Sequence, residues 1–131
     1  MPFDYISDLN ISYWRPVGLI TLKEIIDDLS NFVNLEKKIT AFDRFSDISE
    51  CDFSNIKFDD VRHIYLLRTQ EYHGPPVKNA FYIKTDLQFG IARIYQTLMT
   101  ETPIKVEIFK TPVECANYLN IPVERLFPKN N

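Results

Sequence analysis

Apolar residues recur at helical spacing in four segments of the chain. The clearest is TLKEIIDDLSNFV, residues 21–33, which begins with a Thr and a Glu at capping-box spacing. FDDVRHIYLLRTQ, residues 58–70, carries two acids in its first turn, and TPVECANYL, residues 111–119, has proline at the first helical position. TDLQFGIARIYQTLM, residues 85–99, places Asp86 as an N-cap before an apolar stripe. Each segment predicts a helix.

Short runs rich in β-branched and aromatic residues lie between these helices. KKITAF (37–42), KNAFYIKT (78–85) and IKVEIF (104–109) each precede a loop and a helix, which predicts a largely parallel sheet. FDYIS and ISYWRPVGLI, within residues 3–20, predict a β-hairpin in which Pro16 and Gly18 mark an edge or a bend. The chain is therefore predicted to be a single α/β domain over residues 1–131, with a mixed, mostly parallel sheet of about five strands and about four helices.

Charge and composition narrow the class of protein. The net charge of −3 and the lack of a basic stripe argue against nucleic acid as a partner. The first ten residues contain no Lys or Arg and no apolar run, and no segment reaches the ~20 apolar residues of a membrane span. We therefore expect a cytoplasmic protein without membrane partners, in which Cys51 and Cys115 are reduced thiols. The chain contains no C-x-x-C motif of the kind that indicates a zinc site.

The acidic stretch FDRFSDISECDFS, residues 42–54, is interpreted as a polar connector from a strand to a helix. Its acids lack the alternating spacing and the glycine of a calcium loop, whereas a magnesium site needs only one or two carboxylates and stays open. We expect solvated loop acids and no metal. Asp43, at the predicted strand end, is assigned a structural role as an acceptor of backbone N–H groups.

The carboxyl edge of a parallel sheet is the default place for a ligand. Helix N-termini and a lysine there could hold an anionic group, although the Asp and Thr side chains could equally serve only as helix caps. The candidate residues of this switch or ligand edge are Asp43, Ser54, Thr85, Asp86, Lys110 and Thr111.

Neither catalysis nor a cofactor is indicated. His63 and His73 have no nucleophile in a recognisable context, and the three glycines cannot form a phosphate loop. Gly90, inside a predicted helix, is expected to permit the close approach of a neighbour.

Aromatic residues suggest a second kind of site. Tyr13, Trp14 and Phe89 are candidates for an exposed apolar patch, with homodimerisation as its simplest use. The alternative is that these side chains complete the core.

Several sequence segments, spread over nearly the whole chain, are similar to those of a known protein family: GLITLKEIIDDL, the strand ending AFDRF, FGIARIYQTL and VEIFKTPVECANYL. In these segments and in its element order the chain resembles the SpoIIAA-like group of the STAS/CRAL-TRIO-like fold, bacterial proteins related to anti-sigma-factor antagonists. The resemblance implies a mixed sheet with helices on one side, frequent dimers, and binding to a partner protein. It also implies a phosphorylated serine before the helix that follows the central strand, for which Ser54 is the nearest match, although the glycine of the family's switch phrase is missing.

Three functions follow as expectations. The first is a non-catalytic protein-interaction or regulatory module that binds a protein partner or itself. The second is a small-molecule or lipid-binding domain, with an apolar pocket of about 300 Å³ or more beneath the 86–99 helix. The third is an enzyme that uses Asp43, His63 or Asp86 at the carboxyl edge.

Overall fold

A computed structural model describes residues 3–127, so residues 1, 2 and 128–131 of the predicted domain lie outside the described part. The strands are β1 (Phe3–Ile6), β2 (Ile11–Trp14), β3 (Gly18–Leu19), β4 (Asp43–Asp47), β5 (Cys51–Asp52), β6 (Val77–Tyr82) and β7 (Ile104–Phe109). The helices are α1 (Leu22–Lys38), α2 (Phe58–Glu71), α3 (Asp86–Leu98), α4 (Pro112–Leu119) and α5 (Val123–Leu126), with a 3-10 turn at Met99–Glu101.

Five strands form a mixed sheet in the order β1-β2-β4-β6-β7. β1 and β2 make the predicted antiparallel hairpin, and every other pair in this sheet is parallel. β3 and β5 form a separate parallel pair, and the bend of the chain after Pro16 leads into β3. The mostly parallel α/β architecture predicted from the sequence is confirmed.

The helices cover both faces of the sheet. One core cluster joins the sheet to α1, α2 and α3 through side chains such as Ile25, Val61 and Ala92. The other joins the opposite face to α4 and α5 through Cys115 and Leu126. Right-handed crossovers between successive neighbouring strands place the first three helices on one side. The one-sided arrangement implied by the SpoIIAA-like resemblance therefore does not describe this chain.

The central strand differs from its prediction. Helix α1 continues to Lys38, so KKITAF is not a strand, and β4 is formed by DRFSD within the stretch that was predicted to be a connector. Asp43 consequently begins β4 at the amino edge of the sheet, the edge opposite to the one predicted. Its carboxylate Oδ1 accepts the backbone N–H of Lys78 at 2.9 Å. The strand was not indicated by an apolar pattern because its buried residues Arg44 and Ser46 are polar and acids flank them.

The helix starts follow the local signals closely. Thr21 and Thr111 each accept the backbone N–H three residues later, as their capping spacing predicts. The cap of α3 is Thr85 rather than Asp86, because Thr85 and Gln88 complete a reciprocal capping box. Gly90 faces open space, so the predicted close approach of a neighbour is wrong.

Within residues 3–127, no helix combines the length and the apolarity needed to cross a membrane.

Candidate functional site

The carboxyl edge brings together part of the predicted ligand site. β6 and β7 end side by side, followed by Thr85 and Asp86 after one strand and by Lys110 and Thr111 after the other. The Lys110 ammonium lies 5.8 Å from the centre of the Phe89 ring, which connects the two segments. Asp43 does not join them, because it lies at the opposite end of β4.

The hydroxyl groups at this edge are occupied by helix capping. Thr85 accepts the backbone N–H of Gln88, and Thr111 accepts the N–H of Glu114 and donates to its carboxylate. Asp86 is exposed in the first turn of α3, where a carboxylate favours the helix dipole. Capping, the alternative considered from the sequence, thus accounts for both threonines.

Ser54 is exposed between β5 and α2. Its backbone N–H donates to Asp52 Oδ1 at 2.9 Å, an Asx-type turn, and this bond lowers the pKa of the Asp52 carboxyl. The helix that follows begins at Phe58 with Lys57 as its cap, so Ser54 lies outside the first turn. Phosphorylation of Ser54 remains a prediction.

Gln88 is a structural residue of the carboxyl edge that the sequence did not indicate. Its buried amide donates to the backbone carbonyls of Ser49 and Cys51 and accepts the N–H groups of Lys84 and Thr85. One side chain therefore holds the start of α3 against the turn between β4 and β5.

The three aromatic candidates for an interface lie in different environments. Trp14 faces the core beneath α1 and donates its indole N–H to Asp28 Oδ2 at 2.8 Å. Tyr13 packs on the opposite face of the sheet and donates to Asp4. Only Phe89 is among the exposed large apolar residues. The three side chains therefore do not form one patch.

The structure does not assemble the residues of the enzyme hypothesis. Asp43 and Asp86 lie at opposite edges of the sheet, and His63 is exposed on α2. Among residues 3–127, no group of three or more His, Cys, Asp or Glu side chains could hold a metal ion.

A row of polar side chains crosses the sheet beneath the helices. Ser12, Arg44 and Asn79 are direct neighbours on β2, β4 and β6. Ser46 lies two residues beyond Arg44 on the same face and donates to Asn79 Oδ1 at 3.0 Å. Ser12, Arg44 and Ser46 are buried. Since a sheet face covered by helices is normally apolar, this row needs a specific reason.

Two arginines and one glutamate form an ion cluster at this row. Glu36 of α1 accepts Nη2 of Arg44 at 2.8 Å and Nη2 of Arg68 at 2.6 Å, both through the same oxygen, Oε2. All three side chains are at most 5% exposed. Burial lowers the pKa of Arg44, an effect that the Glu36 carboxylate opposes. The cluster ties α1 and α2 to the central strand.

Two polar atoms of the cluster lack a hydrogen bond. Glu36 Oε1 and Arg68 Nη1 are buried and have no hydrogen-bond partner within the described part of the chain. Tyr72 stacks its ring against the Arg44 guanidinium at 4.8 Å and donates its hydroxyl proton to the Pro75 carbonyl, so it has no proton left for Glu36 Oε1. Because buried polar groups are hydrogen-bonded in the great majority of cases, these two atoms need an explanation.

A cavity of about 110 Å³ lies beside the cluster, between the polar row and the helices α1, α2 and α3. A second cavity of about 80 Å³ adjoins it and shares five lining side chains. Burial raises the pKa of Tyr95, a lining residue of both, so that its phenol stays protonated and able to donate. The polar lining residues are Ser12, Asp28, Arg44, Ser46, Arg68, Asn79 and Tyr95, and the apolar ones include Trp14, Ile25, Leu29, Ile64 and Phe81.

The arrangement can bind a small molecule that has a polar end and an apolar end. Guanidinium, hydroxyl and amide groups meet aromatic and aliphatic walls within one enclosure. Such a mixture, with few polar groups among many apolar ones, is characteristic of specific ligand sites.

No protein-family model, curated protein or solved structure matches this chain. The SpoIIAA-like resemblance therefore stays a prediction, and the assignment of function depends on the site itself.

Proposed function

We propose that this chain is a non-catalytic binding module that holds a small molecule in the cavity beneath α1 and α2. The observation that carries the proposal is the polar row of the central sheet, which faces an open space instead of close-packed side chains. Protein interiors normally leave few voids larger than a water molecule. In addition, apolar residues of similar volume often stabilise a core at least as much as a buried ion cluster does. Ligand binding gives a reason for polar residues on this buried face of the sheet.

The size of the cavity sets the size of the ligand. An engineered apolar cavity of about 150 Å³ binds benzene, whereas drug-sized ligands occupy about 300 Å³ or more. The two cavities, of about 110 and 80 Å³, suit a molecule of roughly one ring better than a lipid chain.

The single tryptophan of the chain supplies a direct assay. Trp14 lines both cavities, so its fluorescence reports on that one place. Titration with ring-sized compounds should change the Trp14 emission saturably. Ile64→Phe, which fills space at both cavities, should weaken this binding, and Leu66→Phe, at an exposed position of the same helix, should not.

The outcome that contradicts the proposal is equally direct. If no ring-sized compound alters the Trp14 signal, or if Ile64→Phe binds as the unchanged protein does, the cavity is not a ligand site.

A second candidate function is the interaction or regulatory module implied by the SpoIIAA-like resemblance, acting as a homodimer. Exposed Leu87 and Phe89 on α3 and exposed Val113 on α4 favour it, because all three project near the carboxyl edge, where Lys110 adjoins Phe89. The free, buried thiols agree with a reducing compartment and support a cytoplasmic location.

Sedimentation velocity tests this second function. A dimer that dissociates in Phe89→Ser but persists in Leu66→Ser supports it, since both side chains are 43% exposed. A monomer at every accessible concentration would remove homodimerisation from consideration.

A further inference from the structure

The chemistry of the cavity indicates which class of ligand it takes, an inference that rests on the proposed function above. Arg68 lines the cavity and its side chain is only 3% exposed. One end of its guanidinium is satisfied by Glu36, whereas Nη1 has no hydrogen-bond partner among the described residues. Glu71 Oε1 forms an ion pair with Nη1 at 3.6 Å, a distance too long for a hydrogen bond. A buried charged donor without a hydrogen bond costs free energy, and because Arg68 borders the cavity, an acceptor bound there can interact with its charge.

The charges around the cluster favour an anionic acceptor. Arg44 and Arg68 share the one carboxylate of Glu36, so the three buried side chains carry a net positive charge. Two further acids face this region: Glu71, which forms a longer ion pair with Arg68, and Asp28, which lines the cavity. Glu71 is partly exposed to solvent. Asp28 precedes Glu36 by two helical turns, about 12 Å along α1, and is engaged by the Trp14 indole.

The remaining walls limit the anion to a single charged group. Trp14, Ile25, Leu29 and Phe81 line the space beyond the arginines, and Asp28 is the acid among the lining residues. A second negative charge placed there would be desolvated without a cationic partner. A planar carboxylate matches the fork of a guanidinium, and an aliphatic or aromatic tail matches the walls.

We propose that the cavity binds a small organic monocarboxylate, with its carboxylate at Arg68 and Arg44 and its apolar tail against Trp14 and Phe81. The volume admits a molecule about the size of benzoate. Ser12, on the sheet side, lines the same cavity and can donate its hydroxyl to the second carboxylate oxygen, whereas the Ser46 hydroxyl already donates to Asn79.

The test compares three probes of one shape on the full chain: benzoate, benzamide and benzylamine, followed by Trp14 fluorescence and by calorimetry. Benzoate should bind at least tenfold more tightly than benzamide, and benzylamine should bind least. Arg68→Lys should reduce the affinity for benzoate about tenfold and leave that for benzamide unchanged, because it keeps the charge but loses the fork. Arg62→Lys, at an exposed position of α2, is the matched control.

The possible results separate the two proposals. Equal affinity for benzoate and benzamide, tighter binding of benzylamine, or displacement of benzoate by an equal concentration of inorganic phosphate would overturn the monocarboxylate and leave the binding module intact. If none of the three probes binds, or if Ile64→Phe binds each of them as the unchanged protein does, both proposals are overturned. The comparison of benzoate with benzamide uses the unchanged protein, so it decides the question even if Arg68→Lys does not fold.

Discussion

Glu36→Gln should be among the most destabilising conservative substitutions in this chain. The Glu36 carboxylate is the shared partner of two guanidinium groups, at 2.8 and 2.6 Å, and the three side chains are at most 5% exposed. An amide keeps the shape but removes the charge, so that two adjacent buried cations lose their counterion. Breaking a buried ion pair in this way costs about 3–5 kcal/mol. Domains of this size have a total stability of about 5–15 kcal/mol, so the loss is a large part of it.

Urea unfolding followed by far-UV circular dichroism measures the effect. We expect the free energy of unfolding of Glu36→Gln to fall by about 3 kcal/mol or more, with an unchanged m-value if the native state stays compact. The matched control is Asp27→Asn on the same helix. Asp27 pairs with Lys23 at 2.8 Å, but the two side chains are 62% and 83% exposed, so its removal should cost less than about 0.5 kcal/mol.

A triple variant checks the physical reason. Replacing Glu36, Arg44 and Arg68 together by apolar residues of similar size should restore most of the stability, because no unpaired charge remains buried. It should also abolish binding of a carboxylate in the cavity. A loss below 1 kcal/mol in Glu36→Gln, or a triple variant as unstable as the single one, would refute the reasoning about buried charge.

Three further predictions concern other parts of the fold. Gly90→Ala should stabilise the protein by about 0.5–1 kcal/mol in thermal unfolding, because Gly90 is helical and an added Cβ meets nothing; a lower melting temperature would contradict this. Gln88→Ala should cost about 2–3 kcal/mol in urea, because the carbonyls of Ser49 and Cys51 lose their donor, and a loss below 1 kcal/mol would show that water replaces the amide. Burial raises the pKa of Cys51 and Cys115 from 9.0 to about 12, so both thiols should resist a thiol reagent in the native state at about pH 8 and react on unfolding. Since the unfolded thiols ionise first, their contribution to stability is complete below pH 9 and is lost as the pH rises toward 12.

The helices α1 to α4 could be predicted because their signals are local, whereas the short helix α5 was not predicted. The caps at Thr21 and Thr111 and the apolar stripes of α1 and α3 lie within single segments of the chain. The hairpin of β1 and β2 also has a local signal. So does β7, and its predicted bounds agree with the structure. These elements in order were enough to predict a mostly parallel sheet.

The candidate site could not be predicted, because its residues look unremarkable one by one. Arg44 and Ser46 alternate with Phe45 in β4, and this alternation was the available signal for a strand with one polar face. The acids nearby concealed it, and the stretch was interpreted as a connector. Charged residues are rarely buried without a partner, and the partner of Arg44 lies on another element.

Local chemistry thus determined where helices begin, which segments pair as a hairpin, and the class of fold. The tertiary structure alone decided that Glu36, Arg44 and Arg68 share one buried cluster, since Glu36 and Arg68 are 32 residues apart and meet only when α1 and α2 cross the same sheet. It also decided that Asp43 lies at the amino edge and that a cavity remains beside the cluster. The physical reason is that capping and periodicity act over one or two turns, whereas burial of a charge depends on every element packed around it.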